Sequence, residues 1–275
     1  MTTGRVVRAL LLLLLGGLLA PVACEPAQAP AWELNGRLVD LTHAFDGETV
    51  YWPTEDPFLL NVEAKGWTDG GYYYEANSFA AAEHGGTHLD APVHFHEGGW
   101  TAEEIPLDRL IGAGACVDVT EVCAQDRDHL VSVADLKADE ARSGRIPEGA
   151  LVLIHTGYGR HWPDRALYMG TDRRGAEGVA DLHFPGLHPD AARWLVRERK
   201  VRAVGLDTPS IDHGPSTTFD AHQVLFADNV PAFENVANLA ELPARDFVVM
   251  ALPMKIRGGS GGPLRIVAVV PEGTR

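Results

Sequence analysis

The feature that most constrains the fold is a series of short apolar stretches, rich in β-branched residues, that alternate with segments of helical periodicity. The stretches comprise residues 117–119, 151–154, 201–206, 247–252 and 264–270. Such runs predict strands, several of them buried on both faces. Between them, residues 132–143 begin at the capping candidate Ser132 and stop before Gly144, and residues 188–200 carry Pro189 in a first turn. This alternation predicts an α/β domain in which helices flank a mixed or barrel-like sheet.

The length and charge of the chain narrow its organisation and its partners. From residue 37 to 275 nothing resembles a linker or a repeat, so we expect one domain over that range. A formal net charge of −15 argues against nucleic acid as a partner and leaves a small molecule. Residues 43–82 and 158–187 have no clear periodicity, and we predict that they are irregular walls or lids of a pocket.

The amino terminus has the pattern of an export signal. Arg5 and Arg8 precede an apolar run at residues 10–20, which is too short for the ~20 residues of a membrane span. We therefore predict a signal peptide over residues 1–23, followed by a flexible Pro/Ala-rich tether at 24–36. The mature protein would then be periplasmic or extracellular and have no transmembrane segment. Alternatively, a lipoprotein signal would leave Cys24 as a lipid-anchored first residue.

Residues 84–95 concentrate side chains that bind metal ions. Three histidines and one aspartate fall within eleven positions, namely His84, His88, Asp90 and His94. Gly85, Gly86 and Pro92 argue against a continuous helix, and in an extended chain the four positions would project to one side. Imidazole and carboxylate ligands suit zinc or manganese. The spacing predicts a metal site and leaves His94 open as either a fourth ligand or a proton-transfer group.

The same segment resembles the HxGTHxDxPxHF signature of the cyclase-like metal-dependent hydrolases, the family of bacterial kynurenine formamidase and isatin hydrolase. Further similarities to the family lie at residues 50–53, at 205–212, in His222 with Glu234 twelve positions later, and at 252–263. The resemblance covers roughly residues 37–270. It implies a swivelling β/β/α fold and a homodimer in which an aromatic side chain crosses the interface.

The resemblance also assigns a role to each site residue. It implies that His84, His88 and Asp90 hold one divalent ion, and that Asp90, His222 and Glu234 hold a second. Asp90 would bridge the two ions and Glu234 would be able to contact both. One or two ions are expected, with zinc ahead of manganese. His94 would donate and accept protons, and Trp52 would contact the substrate.

The function implied by the resemblance is hydrolysis of a carbon–nitrogen bond in an aromatic amide. An arylformamidase that converts N-formylkynurenine to kynurenine and formate is the first expectation. A hydrolase of an isatin-type cyclic amide or another carbonyl compound is the alternative within enzymes. An exported protein that binds a metal or ligand without catalysis is the alternative outside them.

Several other residues permit two interpretations. Six aromatic side chains could wall a substrate pocket or pack in the core: Trp52, Tyr72, Tyr73, Tyr74, Phe79 and Phe95. Asp207, Ser210 and Asp212 follow a buried-type strand, where they could serve a site or stabilise turns. Cys116 and Cys123 are expected to be buried, unpaired thiols without a nucleophilic role.

Overall fold

The computed structural model describes residues 36–273, so the predicted signal peptide and all but the last residue of the predicted tether lie outside the described residues. Twelve strands are formed: β1 (Arg37–Asp40), β2 (Leu59–Trp67), β3 (Tyr73–Ala80), β4 (His88–Asp90), β5 (Ile111–Asp118), β6 (Leu130–Val131), β7 (Leu151–His155), β8 (Gly186–Leu187), β9 (Ala203–Leu206), β10 (Ala232–Glu234), β11 (Phe247–Pro253) and β12 (Gly261–Val270). Seven α-helices accompany them: α1 (Leu107–Leu110), α2 (Thr120–Gln125), α3 (Val133–Ser143), α4 (Arg165–Tyr168), α5 (Gly175–Ala180), α6 (Pro189–Trp194) and α7 (Asp220–Ala227). Between residues 36 and 273, none of the helices has the length and apolar character needed to cross a membrane.

Seven strands form a closed, mixed barrel. Their order is β12, β11, β5, β7, β9, β10 and β4, and the ring closes where β4 pairs with β12. The strands β5, β7, β9 and β10 run parallel, whereas the remaining pairings are antiparallel. The strand β1 pairs with the other end of β12, on the same edge as β4. The predicted α/β class and barrel-like sheet are therefore confirmed.

Side chains alternate between two cores on opposite faces of this sheet. Leu151 and Leu153 of β7 lie in the barrel interior with buried residues of the other barrel strands. Val152 and Ile154 of the same strand face outward, into a second core that the helices α3, α6 and α7 cover. Each strand face is thus apolar, which is why the sequence shows continuous apolar runs here instead of alternation.

The two predicted helices are present near their predicted bounds. Ser132 begins α3 with a capping box, in which its side chain accepts from the Asp135 N–H and the Asp135 side chain accepts from the Ser132 N–H. Pro189 begins α6, which continues as a π-helical turn over Leu195–Arg199. The apolar faces of both helices lie against the outer core, as their periodicity predicts.

The prediction that residues 43–82 are irregular was wrong for the segment from 59 to 80, whereas residues 43–58 contain no helix or strand, as predicted. The strands β2 and β3 form a long hairpin with a register shift between Val62 and Ala64. Nearly every residue of this hairpin is exposed, so neither face shows the apolar pattern of a half-buried strand. The alternation from Val62 onward, followed by the turn residues Asp69, Gly70 and Gly71, was a usable hairpin signal. Residues 158–187 also contain local structure, in the short helices α4 and α5.

Candidate metal centre and active site

The closing strands of the barrel carry the centre of the site. In β4, Leu89 points into the barrel core, so its neighbours His88 and Asp90 point outward. In β10, Phe233 likewise points inward and Glu234 outward. Glu234 is the register partner of His88, which places two buried polar side chains side by side on the outer face of the barrel.

Turns, and not one extended chain, bring His84 and His94 to the same place. Only His88–Asp90 forms a strand, so the predicted extended run from 84 to 94 was wrong at both ends. Gly86 adopts a φ of +59°, which favours glycine and redirects the chain after His84. At the other end, Pro92 begins a short 3-10 turn whose last residue is His94. The prediction that no continuous helix spans this segment is confirmed.

His222 reaches the site from α7, which packs over the outer face of the barrel. Asp212 accepts from the backbone N–H groups of Ala221 and His222, and so anchors the start of this helix. The same carboxylate lies 2.6 Å from His222 Nδ1. His222 Nε2 therefore faces the strand residues, at 3.2 Å from Asp90 Oδ2 and 3.0 Å from Glu234 Oε1. Asp212 combines the two roles that the sequence left open, as a helix cap and as a partner of a site residue.

Asp90 and Glu234 each direct both carboxylate oxygens toward histidine nitrogens of the site. Asp90 Oδ1 is 2.6 Å from His84 Nδ1 and 3.1 Å from His88 Nε2, whereas Asp90 Oδ2 faces His222. Glu234 directs Oε1 to His222 and Oε2 to His88, the latter at 3.4 Å. Two groups of residues could each hold a metal ion, because the ligand atoms within each group lie within 4.8 Å of one another. The first metal group is His84, His88 and Asp90, and the second metal group is Asp90, His222 and Glu234. The structure thus assembles all five predicted ligands, with Asp90 common to both groups.

The donor set fits a divalent cation. His88 donates from Nδ1 to the Gly86 carbonyl, so in the neutral ring the lone pair is on Nε2 and points into the site, where a bound cation would displace the Nε2 proton. That Nε2 is buried, and although Asp90 Oδ1 lies 3.1 Å away, no acceptor within residues 36–273 is aligned with it for a hydrogen bond. Burial lowers the pKa of His88, but Asp90 and Glu234 outweigh it and raise this pKa to about 9. Burial and the neighbouring Asp90 raise the pKa of Glu234. Adjacent buried carboxylates and an unpaired imidazole nitrogen are satisfied together by a bound cation.

His94 lies beside the ligands without belonging to either metal group. Its side chain lines the same cavity as the metal groups, and Phe95 contacts it edge-on. Burial lowers the pKa of His94 to about 4, although Asp90 opposes the shift. The imidazole is therefore neutral near pH 7, a form that has one nitrogen free to accept a proton.

The metal groups open into a cavity of about 290 Å³. Trp52, Phe95 and Phe219 line it, and Trp52 meets Phe219 at a centroid distance of 6.3 Å. Phe219 was not predicted from the sequence; it is the N-cap of α7, with a left-handed φ of +52°, and its ring centroid lies 6.1 Å from that of His222. The aromatics of residues 72–74 and 79 are exposed on the β2–β3 hairpin, so they neither line this cavity nor pack in the core.

Of the remaining residues considered from the sequence, some lie at the cavity and others stabilise turns or are buried elsewhere. Ser210 lines the cavity, whereas Asp207 accepts hydrogen bonds from Thr156 and Gly157 and stabilises the turn after β7. Cys116 and Cys123 are buried and unpaired, as predicted. Burial raises the pKa of Cys116 and raises that of Cys123 to about 12, which suppresses the reactive thiolate.

Comparisons with known proteins agree with this geometry. A family model described as "Putative cyclase" matches residues 39–213. An isatin hydrolase of Roseibium aggregatum is 33% identical over 211 residues, which cover 74% of this chain and 77% of that protein. A kynurenine formamidase of Salinibacter ruber is 26% identical over 84% of this chain and 96% of its own length. The structure of isatin hydrolase A from Ralstonia solanacearum matches with a TM-score of 0.76 and 30% identity, covering 85% of this chain and 92% of that one. The family model spans more than half of the sequence, and the similar solved structure shares the fold of this chain. The chain therefore belongs to the cyclase family of hydrolases.

Proposed function

We propose that this protein is a metal-dependent hydrolase that cleaves the carbon–nitrogen bond of an aromatic amide. One observation carries the proposal: two metal groups that share Asp90 open, together with His94, into a single cavity with aromatic walls. A cation site alone would suit a structural metal. The open face toward the cavity and the adjacent neutral imidazole are what hydrolysis requires.

We assign separate roles to the metal ligands, to His94 and to the aromatic side chains. The five ligands hold one or two divalent ions, with zinc ahead of manganese. A bound divalent ion supplies a water of lowered pKa and polarises the substrate carbonyl. His94 accepts a proton from the attacking water and donates it to the departing nitrogen. Trp52 and the facing Phe219 orient a flat ring against the site.

Two substrate classes follow from the proposal. An N-formyl aniline, such as N-formylkynurenine, presents a small carbonyl beside an aromatic ring, and a named relative is a kynurenine formamidase. An isatin-type cyclic amide presents the same elements within one bicyclic ring. The second class is favoured by the higher identity to an isatin hydrolase, 33% against 26%. An exported location also fits it better, because tryptophan breakdown is normally cytoplasmic.

Purified protein should be assayed with N-formylkynurenine, isatin and a broader panel of aryl amides, before and after treatment with a chelator. We expect turnover of at least one aryl amide, its loss on chelation, and its return when zinc or manganese is added. The double variant His88→Ala with Asp90→Ala should be inactive, and the exposed His96→Ala should serve as the active control.

Turnover that survives both metal stripping and the double variant would disprove the metal mechanism. Metal binding without hydrolysis of any compound in the panel would instead support an exported metal- or ligand-binding protein.

We also propose that the protein forms a homodimer through the β2–β3 hairpin. An isolated two-stranded hairpin is marginally stable in water, yet this one exposes large apolar side chains on both faces, including Trp67 at 78%. A second copy would cover them with the same surface. Sedimentation should give a dimer for the wild type and a monomer for Trp67→Glu with Phe79→Glu. Leu167→Glu, at a residue outside the hairpin whose exposure matches that of Phe79, should remain dimeric.

We propose, finally, that the protein is exported, with cleavage after residue 23 or lipidation of Cys24. The basic residues and apolar run of the first 20 positions support this. Intact mass of the protein recovered from the producing cell distinguishes a plain cleaved chain from a lipidated one. A full-length cytoplasmic chain would contradict export.

A further inference from the structure

A hydrogen-bonded chain links His84 to a carboxylate on the side away from the metal groups. The Ser260 hydroxyl lies 2.9 Å from His84 Nε2 and donates to Glu83 Oε2 at 2.7 Å. The Ser260 backbone N–H donates to the same Glu83 oxygen at 2.9 Å. Ser260 is 176 residues from His84 in sequence, so the fold creates this contact.

The direction of these hydrogen bonds fixes which nitrogen of His84 faces the first metal group. A serine hydroxyl has one proton, and the Glu83 carboxylate can only accept. Because the Ser260 proton is directed to Glu83, its oxygen accepts from His84, which places the imidazole proton on Nε2. In the neutral ring the lone pair then lies on Nδ1, the atom that faces Asp90 Oδ1 and the first metal group, where a cation would take the place of a proton between the two atoms.

The other two histidine ligands have simpler partners. His88 donates to the carbonyl of Gly86, and the Nδ1 of His222 faces the Asp212 carboxylate. Only His84 faces a hydroxyl, a group that by itself could either donate or accept. We propose that Glu83 and Ser260 form a positioning relay that holds His84 in its metal-binding tautomer. This inference rests on the proposed function, since it concerns the same metal site.

The loop that carries Ser260 is shaped for this contact. A Cβ on Gly261 would lie 2.7 Å from His84 Cε1, and a Cβ on Gly259 would lie 2.9 Å from Glu83 Oε1. Glycine on both sides of Ser260 therefore lets the imidazole and the carboxylate approach the same hydroxyl. Glu103 anchors this loop separately, by accepting from the Gly258 N–H without contacting His84.

The test is the affinity of the full protein for zinc, measured by competition with a chromophoric chelator. Loss of a partner behind a ligating histidine typically weakens metal binding 10- to 100-fold. We expect a loss of about that size for Ser260→Ala and for Glu83→Gln, with Ser260→Thr close to wild type because it keeps the hydroxyl. Glu103→Gln is the matched control, because it loosens the same loop but leaves the relay intact.

Wild-type affinity in both Ser260→Ala and Glu83→Gln would overturn the relay, as would an equal loss in Glu103→Gln. A wild-type protein that binds no divalent ion would overturn the relay together with the metal site. Tight metal binding without hydrolysis would contradict only the proposed function, since the relay is judged on affinity.

A second measurement is independent of folding stability. In the cobalt(II)-loaded protein, the imidazole N–H protons of ligating histidines give shifted, solvent-exchangeable NMR signals. The relay predicts that Ser260→Ala broadens the signal of His84 through faster exchange and leaves those of His88 and His222 sharp. Broadening of all three signals would indicate a general disturbance of the site and would contradict a specific role for Ser260.

Discussion

The imidazole rings of His84 and His94 are stacked, with their centroids 3.8 Å apart and their planes 16° from parallel. His84 belongs to the first metal group, and His94 belongs to neither group. The stack therefore places the His94 imidazole in van der Waals contact with a residue of the first metal group, in the wall of the cavity. A group in this position can exchange protons with a molecule at the metal without binding the metal itself.

Replacement of His94 by asparagine should separate chemistry from metal binding. Asparagine keeps a polar, flat side chain but cannot shuttle a proton. We expect kcat for the best aryl amide to fall by about 10²- to 10⁴-fold. Metal content, measured by elemental analysis, should be unchanged. Loss of metal in His94→Asn would instead identify His94 as a ligand, the alternative that the spacing left open.

Asp212 should control the affinity of the second metal group. Its carboxylate holds His222 through Nδ1 and also anchors the start of α7. Asp212→Asn should weaken zinc binding by about 10- to 100-fold, because an amide orients the imidazole less firmly and lowers its basicity. Chelator competition measures the effect. Asp220→Asn is the control, since that exposed side chain accepts a hydrogen bond from Thr218 and from no other residue of the described range 36–273.

Gly85 should tolerate no side chain. A Cβ built on Gly85 would lie 2.0 Å from Cδ1 of the buried Tyr51 ring. Gly85→Ala should therefore lower the free energy of unfolding by about 1–3 kcal/mol through overpacking. Denaturant unfolding measures the change. Gly47→Ala, where a Cβ would meet nothing within 4 Å, should be nearly neutral. Equal stability of the two variants would contradict this packing.

His43 should make the stability of the protein depend on pH. Its ring stacks on Trp162 at 4.1 Å, and burial lowers the pKa of His43 from 6.5 to about 4, although Asp40 opposes the shift. Between these values the unfolded chain binds a proton at His43 that the folded chain does not. Stability is therefore lost as the pH falls from 6.5 to 4, by at most about 3 kcal/mol.

His43→Phe keeps a flat ring against Trp162 and removes this titration. Unfolding measured at several pH values should show a flatter profile between pH 6.5 and 4 in the variant. The exposed His96→Gln should keep the profile of the wild type. A profile of His43→Phe that parallels the wild type throughout this range would refute the assignment.

Features of the fold that depend on residues close together in the sequence, or on a clear burial pattern, were predictable. The capping box at Ser132 and Asp135 joins residues three apart, and it was predictable from the sequence. The strand β7 was predictable because both of its faces are apolar. The hairpin β2–β3 was missed because both of its faces are exposed, so it carries no burial pattern and only the weaker signal of local alternation and turn residues.

The same holds for the site: ligands close together in the sequence were predictable from their spacing, and distant ones were not. His84, His88 and Asp90 lie within seven positions, so their spacing alone predicts a cation site. His222 is 132 residues from Asp90, and only the resemblance to a family connected the two. Neither spacing nor resemblance indicated the pairing of Ser260 with His84, because a lone serine carries no chemical signal until a partner is beside it.

The sequence by itself determined the ligand chemistry, the apolar strands and the capped helices, since these depend on residue types and on neighbours a few positions away. The tertiary structure decided the rest. The strands β4 and β10 are only three residues long, too short for a periodic signal, yet their pairing closes the barrel and sets His88 beside Glu234. That closure costs chain entropy, which the two cores offset through long-range burial. The metal groups therefore depend on contacts between segments far apart in the chain.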